Sequence, residues 1–196
     1  MVSTFARLTA GLVLLPAICA VAQAAEPVRV LDGFDDPSTW RVVTSNQVSG
    51  ALRSVAGVEG KGLCLDYDFN GVSGHAGIQR DLALEYPANY QFAFQLRGDS
   101  PRNDLQFKLV DASGDNVWWV NRPKYDFPTA WTPGRYKTRH IDKAWGPDPD
   151  RVLRRSVKLE YTVYKNAGGK GSVCFDQLKF QPLPVDDGAP LTGKAS

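Results

Sequence analysis

Apolar and polar residues alternate one by one along most of this chain. Leu63, Leu65, Tyr67 and Phe69 interleave with Cys64, Asp66 and Asp68. Phe92, Phe94 and Leu96 interleave with Gln91, Ala93, Gln95 and Arg97, and Leu105, Phe107 and Leu109 with Gln106, Lys108 and Val110. Val157, Leu159, Tyr161 and Val163 interleave with Lys158, Glu160, Thr162 and Tyr164. A period of two is what a pleated strand requires, because successive side chains point to opposite faces. The same reading predicts strands over Val28–Phe34, Val48–Val55, Gly77–Leu82, Val117–Asn121, Arg135–Ile141 and Gly171–Phe180.

Turn chemistry separates these runs: Asn70-Gly71, Gly98-Asp99-Ser100-Pro101, Ser113-Gly114-Asp115-Asn116, Pro133-Gly134 and Asn166-Ala167-Gly168-Gly169. No window reads as an amphipathic helix; Asp150–Ser156 is predicted to form at most one short turn. Ten such strands, each with one apolar face, predict an all-β fold in which two antiparallel sheets bury those faces against each other as a β-sandwich.

The N-terminus breaks the pattern. A charged start ending at Arg7 precedes an apolar stretch from Leu8 to Ala22, and Ala22-Gln23-Ala24 forms an A-x-A cleavage site. This predicts a signal peptide over residues 1–24 and a secreted or periplasmic chain beginning near Ala25. The apolar stretch is short for a span of about 20 residues. The residues before Cys19 do not suit a lipoprotein site. Cys64 and Cys174 then remain in an oxidising compartment, each in a strand-like run. They are a candidate disulfide, with two buried thiols as the alternative. After the domain at 25–183, residues 184–196 have linker composition, as expected of a module or a piece of a longer chain.

Five Trp, seven Tyr and nine Phe are generous for 196 residues, while a net charge of +2 without charge runs offers no electrostatic case for nucleic acid. No Cys/His spacing reads as a zinc site. No glycine-rich loop leads from a strand into a helix as a phosphate cradle would.

Several segments are recognisable together. They are Gly114-Asp115-Asn116-Val117-Trp118-Trp119-Val120-Asn121, Tyr125-Asp126-Phe127-Pro128, Trp131, Arg139-His140, Ala144-Trp145-Gly146-Pro147 and Gly168-Gly169-Lys170-Gly171. The opening Leu31-Asp32-Gly33-Phe34-Asp35-Asp36 with Trp40 and the closing Cys174-Phe175-Asp176-Gln177-Leu178 belong with them. From Val30 to Leu183 the chain resembles the N-terminal galactose-binding-like domain of large secreted bacterial proteins. Those proteins often continue into a discoidin domain and a glycoside-hydrolase-like barrel. The resemblance implies a jelly roll and work on carbohydrate. It also implies a structural calcium shared by a carboxylate after the first strand and an Asp on the last, the places of Asp35 and Asp176.

The residues offer several candidates for holding a polysaccharide. Trp118 and Trp119 point to opposite faces, so one indole can fill the core while the other stacks on a sugar ring. If their strands pair, Gln95, Arg97, Gln106 and Lys108 form a patch of amide and cationic donors, suited to a glycan or a uronate. The run to Ile141 would set Arg139 on its cationic side and His140 on the other, and Tyr125 and Trp145 lie on flanking loops. Two enzymatic readings compete. Asp66 and Asp68, about 7 Å apart on one strand face, match the carboxylate spacing of inverting glycosidases. Gln95, Arg97, Tyr136 and His140 are the residue types of a polysaccharide lyase acting on a uronic-acid polymer. The expected function is non-catalytic carbohydrate binding; a lyase or a structural and adhesion domain are the alternatives.

Overall fold

The computed structural model describes residues 27–185. The signal peptide over 1–24 and residues 186–196 of the tail lie outside them. Twelve strands alternate along the chain: β1 (Arg29–Asp32), β2 (Arg41–Thr44), β3 (Ser49–Ala56), β4 (Lys61–Asp68), β5 (His75–Glu85), β6 (Tyr90–Asp99), β7 (Asp104–Val110), β8 (Val117–Arg122), β9 (Thr132–Lys137), β10 (Asp142–Trp145), β11 (Arg155–Tyr164) and β12 (Lys170–Pro182). They form two antiparallel six-stranded sheets. The first runs β3-β4-β12-β6-β9 with β1 paired to β12, and the second runs β10-β8-β7-β11-β5-β2.

The alternation seen in the sequence becomes the core. Phe92, Phe94 and Leu96 of β6 and Val173 and Phe175 of β12 face inward from the first sheet, and Leu105, Phe107, Leu109, Leu159, Tyr161 and Val163 meet them from the second. At the centre Tyr161 of β11 stacks on Phe175 of β12, with ring centroids 4.1 Å apart. Phe94, Phe107 and Tyr136 surround this pair. Each such ring contributes roughly 1.5–3 kcal/mol by leaving water. Cys64 and Cys174 are cross-strand partners on β4 and β12, and their sulfurs are bonded. The bond closes a loop across 110 residues.

Four expectations are corrected. First, β6 and β7 do not pair. The turn after Asp99 crosses between sheets, because the apolar rows of these strands find each other across the core, with Phe92 and Phe107 rings 5.0 Å apart. Second, the first strand stops at Asp32. Phe34 turns into a left-handed conformation (φ 60°) so that its ring can stack on Trp40 at 5.0 Å. Asp32 secures this turn by accepting hydrogen bonds from the Phe34 amide (2.6 Å) and the Trp40 indole (2.8 Å), and by pairing with Arg80 of the second sheet. Third, the strand expected to reach Ile141 ends at Lys137, and Thr138–His140 is a 3-10 turn. Fourth, Asp150–Ser156 holds no helical turn; β11 begins inside it.

The Tyr161 hydroxyl is buried with no hydrogen-bond partner. An unsatisfied buried hydroxyl costs about 1–3 kcal/mol. The Tyr161→Phe variant, which keeps the ring stack and removes that group, is therefore expected to melt a few degrees higher than wild type in calorimetry. A lower melting temperature would show that the hydroxyl has a stabilising partner.

Candidate functional site

The outward residues of the second sheet lie in rows set by strand register. One row runs Trp119 (β8), Lys108 (β7), Glu160 (β11), Gln79 (β5) and Arg41 (β2). The next runs Asn121, Gln106, Thr162, Gly77 and Val43, and beyond it Tyr164 lies between Asp104 and His75. A five-strand span of polar side chains is thus bounded at one edge by an aromatic corner. There the rings of Trp119 and Trp145 meet edge to face, with centroids 5.6 Å apart. Trp145 is 48% exposed.

The middle of the row is a closed electrostatic unit. Lys108 Nζ donates to Glu160 Oε1 at 2.9 Å, and Gln79 Nε2 donates to Glu160 Oε2 at 2.7 Å. The Thr162 hydroxyl donates to the same carboxylate. Arg41 donates to the Gln79 carbonyl and reaches both oxygens of Asp81 at 3.1 and 3.2 Å. Burial by itself would raise the Glu160 pKa, but the Lys108 charge and the hydrogen bonds from Thr162, Lys108 and Gln79 together hold it below the usual carboxylate range. His75 is pushed down by burial and by Lys108, against the opposing pull of Glu160. Gly77 leaves a dip in the face, since a Cβ there would stand 2.8 Å from the Tyr161 carbonyl oxygen. The Asn121 side-chain oxygen is buried and has no donor.

Of the residues expected to bind, Gln106, Lys108, Trp119 and Trp145 come together on this face, Trp145 from the end of strand β10 paired to β8 rather than from the expected loop. Trp118 does not: it is 4% exposed, and its indole N–H donates to the Arg151 carbonyl at 2.8 Å. Gln95 and Arg97 lie on the outer face of the first sheet, on the far side of the core from Gln106 and Lys108, because β6 and β7 belong to different sheets. There Arg97 stands 4.9 Å from the Trp131 ring centroid. Tyr125 packs against Phe127 in the β8–β9 connection, 5.0 Å between centroids. Arg139 and His140 are exposed in the 3-10 turn, where His140 Nδ1 accepts from the Lys137 amide.

The enzymatic constellations do not assemble. Both Asp66 oxygens are held by Arg53, at 2.6 and 2.7 Å, and that bond keeps its carboxyl below the usual range, the wrong direction for a general acid. Gln95 and Arg97 point outward from the first sheet, Tyr136 points into the core with its phenol pushed far up by burial, and His140 is in the exposed turn. No single substrate position touches all four.

Arg41, His75, Gln79, Asn121, Glu160 and Thr162 escaped sequence reasoning as site residues. The alternation already gave Glu160 and Thr162 to a polar face; what it lacked was that β11 is flanked on both sides.

No family model matches the chain, and no curated protein matches it in sequence. Solved structures do match in fold. The family 11 carbohydrate-binding module of the cellulosomal cellulase Lic26A-Cel5E of Clostridium thermocellum is 16% identical with a TM-score of 0.66, over 82% of this chain and 97% of that one. The Clostridium thermocellum family 11 module in complex with a β-1,3-1,4-mixed-linked tetrasaccharide gives 16% identity and a TM-score of 0.64, over 81% and 96% of the two chains. An exo-β-agarase gives 14% identity and a TM-score of 0.52, over 81% of this chain and 26% of the enzyme. The chain therefore has the jelly-roll fold of β-sandwich carbohydrate-binding modules.

The Glu160 unit makes an acid-stability prediction. A carboxyl whose folded pKa lies below its ordinary value of 4.5 stabilises the fold fully above about pH 4.5, and the contribution is lost as pH falls through the lowered value. Glu160→Gln, which leaves Lys108 charged and unpaired, is expected to cost roughly 3 kcal/mol at pH 7. Lys108→Met combined with Glu160→Gln should recover much of that loss and show a flatter decline in melting temperature between pH 5 and 3. An unchanged acid limb would remove Glu160 as its source.

Proposed function

We propose that this domain is a non-catalytic carbohydrate-binding module that lays a polysaccharide chain along the outer face of the second sheet. The observation that carries the reading is the join of an exposed indole corner to a row of oriented polar groups. A pyranose presents an apolar face that suits the Trp119–Trp145 corner, and its hydroxyls suit the partly exposed side chains of Lys108, Asn121 and Gln79 beside it, while the buried Gln106 and Thr162 hold the row in place from beneath. The row follows hydrogen-bonded register across five strands, so its groups are held by the sheet and little ordering is needed on binding. The tetrasaccharide-bound family 11 module of the same fold supports a β-glucan as the first ligand to try. We place the domain in an exported glycan-active protein, where a discoidin or glycoside-hydrolase-like domain would act on the polymer it holds.

Calorimetric titration of the purified protein with mixed-linkage β-glucan oligosaccharides and with agaro-oligosaccharides tests this. Trp145→Ala and Trp119→Ala are each expected to weaken binding about 5- to 30-fold, as lost ring contacts of roughly 1–2 kcal/mol require, with no sugar product released. Binding to neither glycan, or binding unaffected by both substitutions, overturns the assignment to this face.

A structural calcium ion belongs to the same proposal. Asp35 Oδ1 accepts from the Lys61 amide at 2.8 Å, and Asp176 Oδ2 accepts from the Val58 amide at 2.6 Å, so both carboxylates bear on the β3–β4 turn. Asp176 is fully buried and its second oxygen has no partner, an arrangement that a cation would relieve. Among the described residues no group of three or more His, Cys, Asp or Glu gathers around a possible metal. Backbone carbonyls and water would complete the six to eight oxygens that calcium takes. Millimolar calcium is expected to raise the melting temperature relative to EGTA by several degrees in wild type and not in Asp176→Asn. Superimposable wild-type melts in the two conditions would reject the ion.

A further inference from the structure

A pocket opens at the edge of the sandwich, between β9 and the β8–β9 connection, beyond the Asn121 end of the polar rows and away from the Trp119–Trp145 corner. It has a volume of about 480 Å³. The core rings of Phe94 and Tyr136, with centroids 5.1 Å apart, lie beneath it, and the half-buried Tyr125 is the aromatic surface it offers. Gly134 makes room for this arrangement. The Phe94 ring passes 2.5 Å from where a Cβ at that position would stand, so any larger residue would push the ring away.

The rim carries three exposed cations, Arg122, Lys124 and Arg135. None of them takes part in an ion pair among the described residues. Arg122 ends the inward row of β8 and stands 5.9 Å from the Tyr136 ring centroid, at the mouth of the gap between the sheets. The one acid of the lining, Asp126, is engaged by Arg102 through contacts of 2.8 and 3.3 Å. Lys137 and Arg139 extend the positive field. His140 beside them is pushed down by burial first and then by Arg139, Arg122 and Lys137. Elsewhere on this surface arginines are matched: Arg41 with Asp81, Arg53 with Asp66, Arg151 with Asp142, Arg154 with Asp150 and Arg155 with Glu85. Arg29 and Arg97, without an ion pair among the described residues, lie singly against Phe180 and Trp131, whereas the rim gathers three such cations.

We propose that this edge pocket is a separate binding site for an anionic sugar unit of an acidic polysaccharide, its ring against the half-buried Tyr125 and its carboxylate or sulfate on Arg122 and Arg135. Aromatic rings accept the apolar face of a sugar, whereas guanidinium groups supply paired donors for a planar or tetrahedral oxyanion. A bare inorganic anion would leave the aromatic surface unused, and a neutral sugar would leave the cations unused.

The test titrates the purified protein with trigalacturonate, with a sulfated carrageenan tetrasaccharide and with neutral galactotriose. The expected result is saturable binding of one or both anionic probes, weakened by salt, with galactotriose at least tenfold weaker. Which anionic probe binds identifies the source of the charge. Arg122→Gln with Arg135→Gln should weaken that binding tenfold or more, as loss of charge-assisted hydrogen bonds requires. The same pair should leave binding of neutral β-glucan unchanged, and Trp119→Ala should leave anionic binding unchanged. Failure of the sheet-face reading would appear only in the neutral arm, so the two sites stand or fall separately. The proposal is overturned if neither anionic probe binds better than galactotriose. It is also overturned if Trp119→Ala rather than the arginine pair abolishes anionic binding, or if a DNA oligonucleotide of matched charge competes equally well.

Discussion

Everything in this domain is arranged around the contact between Tyr161 and Phe175. Each belongs to an interior strand of its sheet, β11 in one and β12 in the other, and their rings stack 4.1 Å apart where the layers meet. A sheet with one apolar face has to bury it, and among the described residues each sheet is the large apolar surface available to the other. Once these two residues are inward, the pleat dictates what points outward. On β11 that means Glu160 and Thr162; on β12 it means Cys174 and Asp176. The polar face, the disulfide and the carboxylate at the β3–β4 turn are consequences of the same parity.

The outer face of the second sheet shows how a polar surface can be rigid. Glu160 is taken largely out of water, which is unfavourable for a lone carboxylate, and it is offset only because Lys108, Gln79 and Thr162 all donate to it. The partners come from β7, β5 and β11 itself, so the charge network ties three adjacent strands together. A surface fixed in this way can present hydroxyl-directed groups without ordering them anew, which is the property a binding platform needs.

Aromatic residues divide into two populations. Those with inward parity, such as Phe92, Phe107 and Tyr136, stabilise the sandwich. Those left at its margins, Trp119 and Trp145 at the second sheet's edge and Tyr125 at the pocket beside β9, supply flat apolar surface next to polar or cationic groups. The fold shared with the family 11 module accounts for the first population. The second follows from this chain's own residues, and it underlies both sites proposed above.

Much of the fold was legible from residue order alone. The alternation in Leu63–Phe69, Phe92–Arg97, Leu105–Val110 and Val157–Tyr164 marked strands and assigned their inward and outward residues, because a pleated strand admits only one periodicity. The same alternation placed Glu160 and Thr162 on a polar face and noted that only one of Trp118 and Trp119 need be buried. It was silent on which of those indoles goes inside, since both neighbours are equally apolar. It was silent too on which strands lie side by side. The grouping of Gln95 and Arg97 with Gln106 and Lys108 failed for that reason: a short connection between two strands joins a hairpin and an inter-sheet crossing equally well. Short strands such as β2 and β10, with four residues each, carry too little pattern to be seen and exist because a longer neighbour offers them hydrogen bonds. Local sequence therefore determined the parity of each strand, whereas partnership between strands, and with it the makeup of every surface, was decided by how two apolar layers close over a common core.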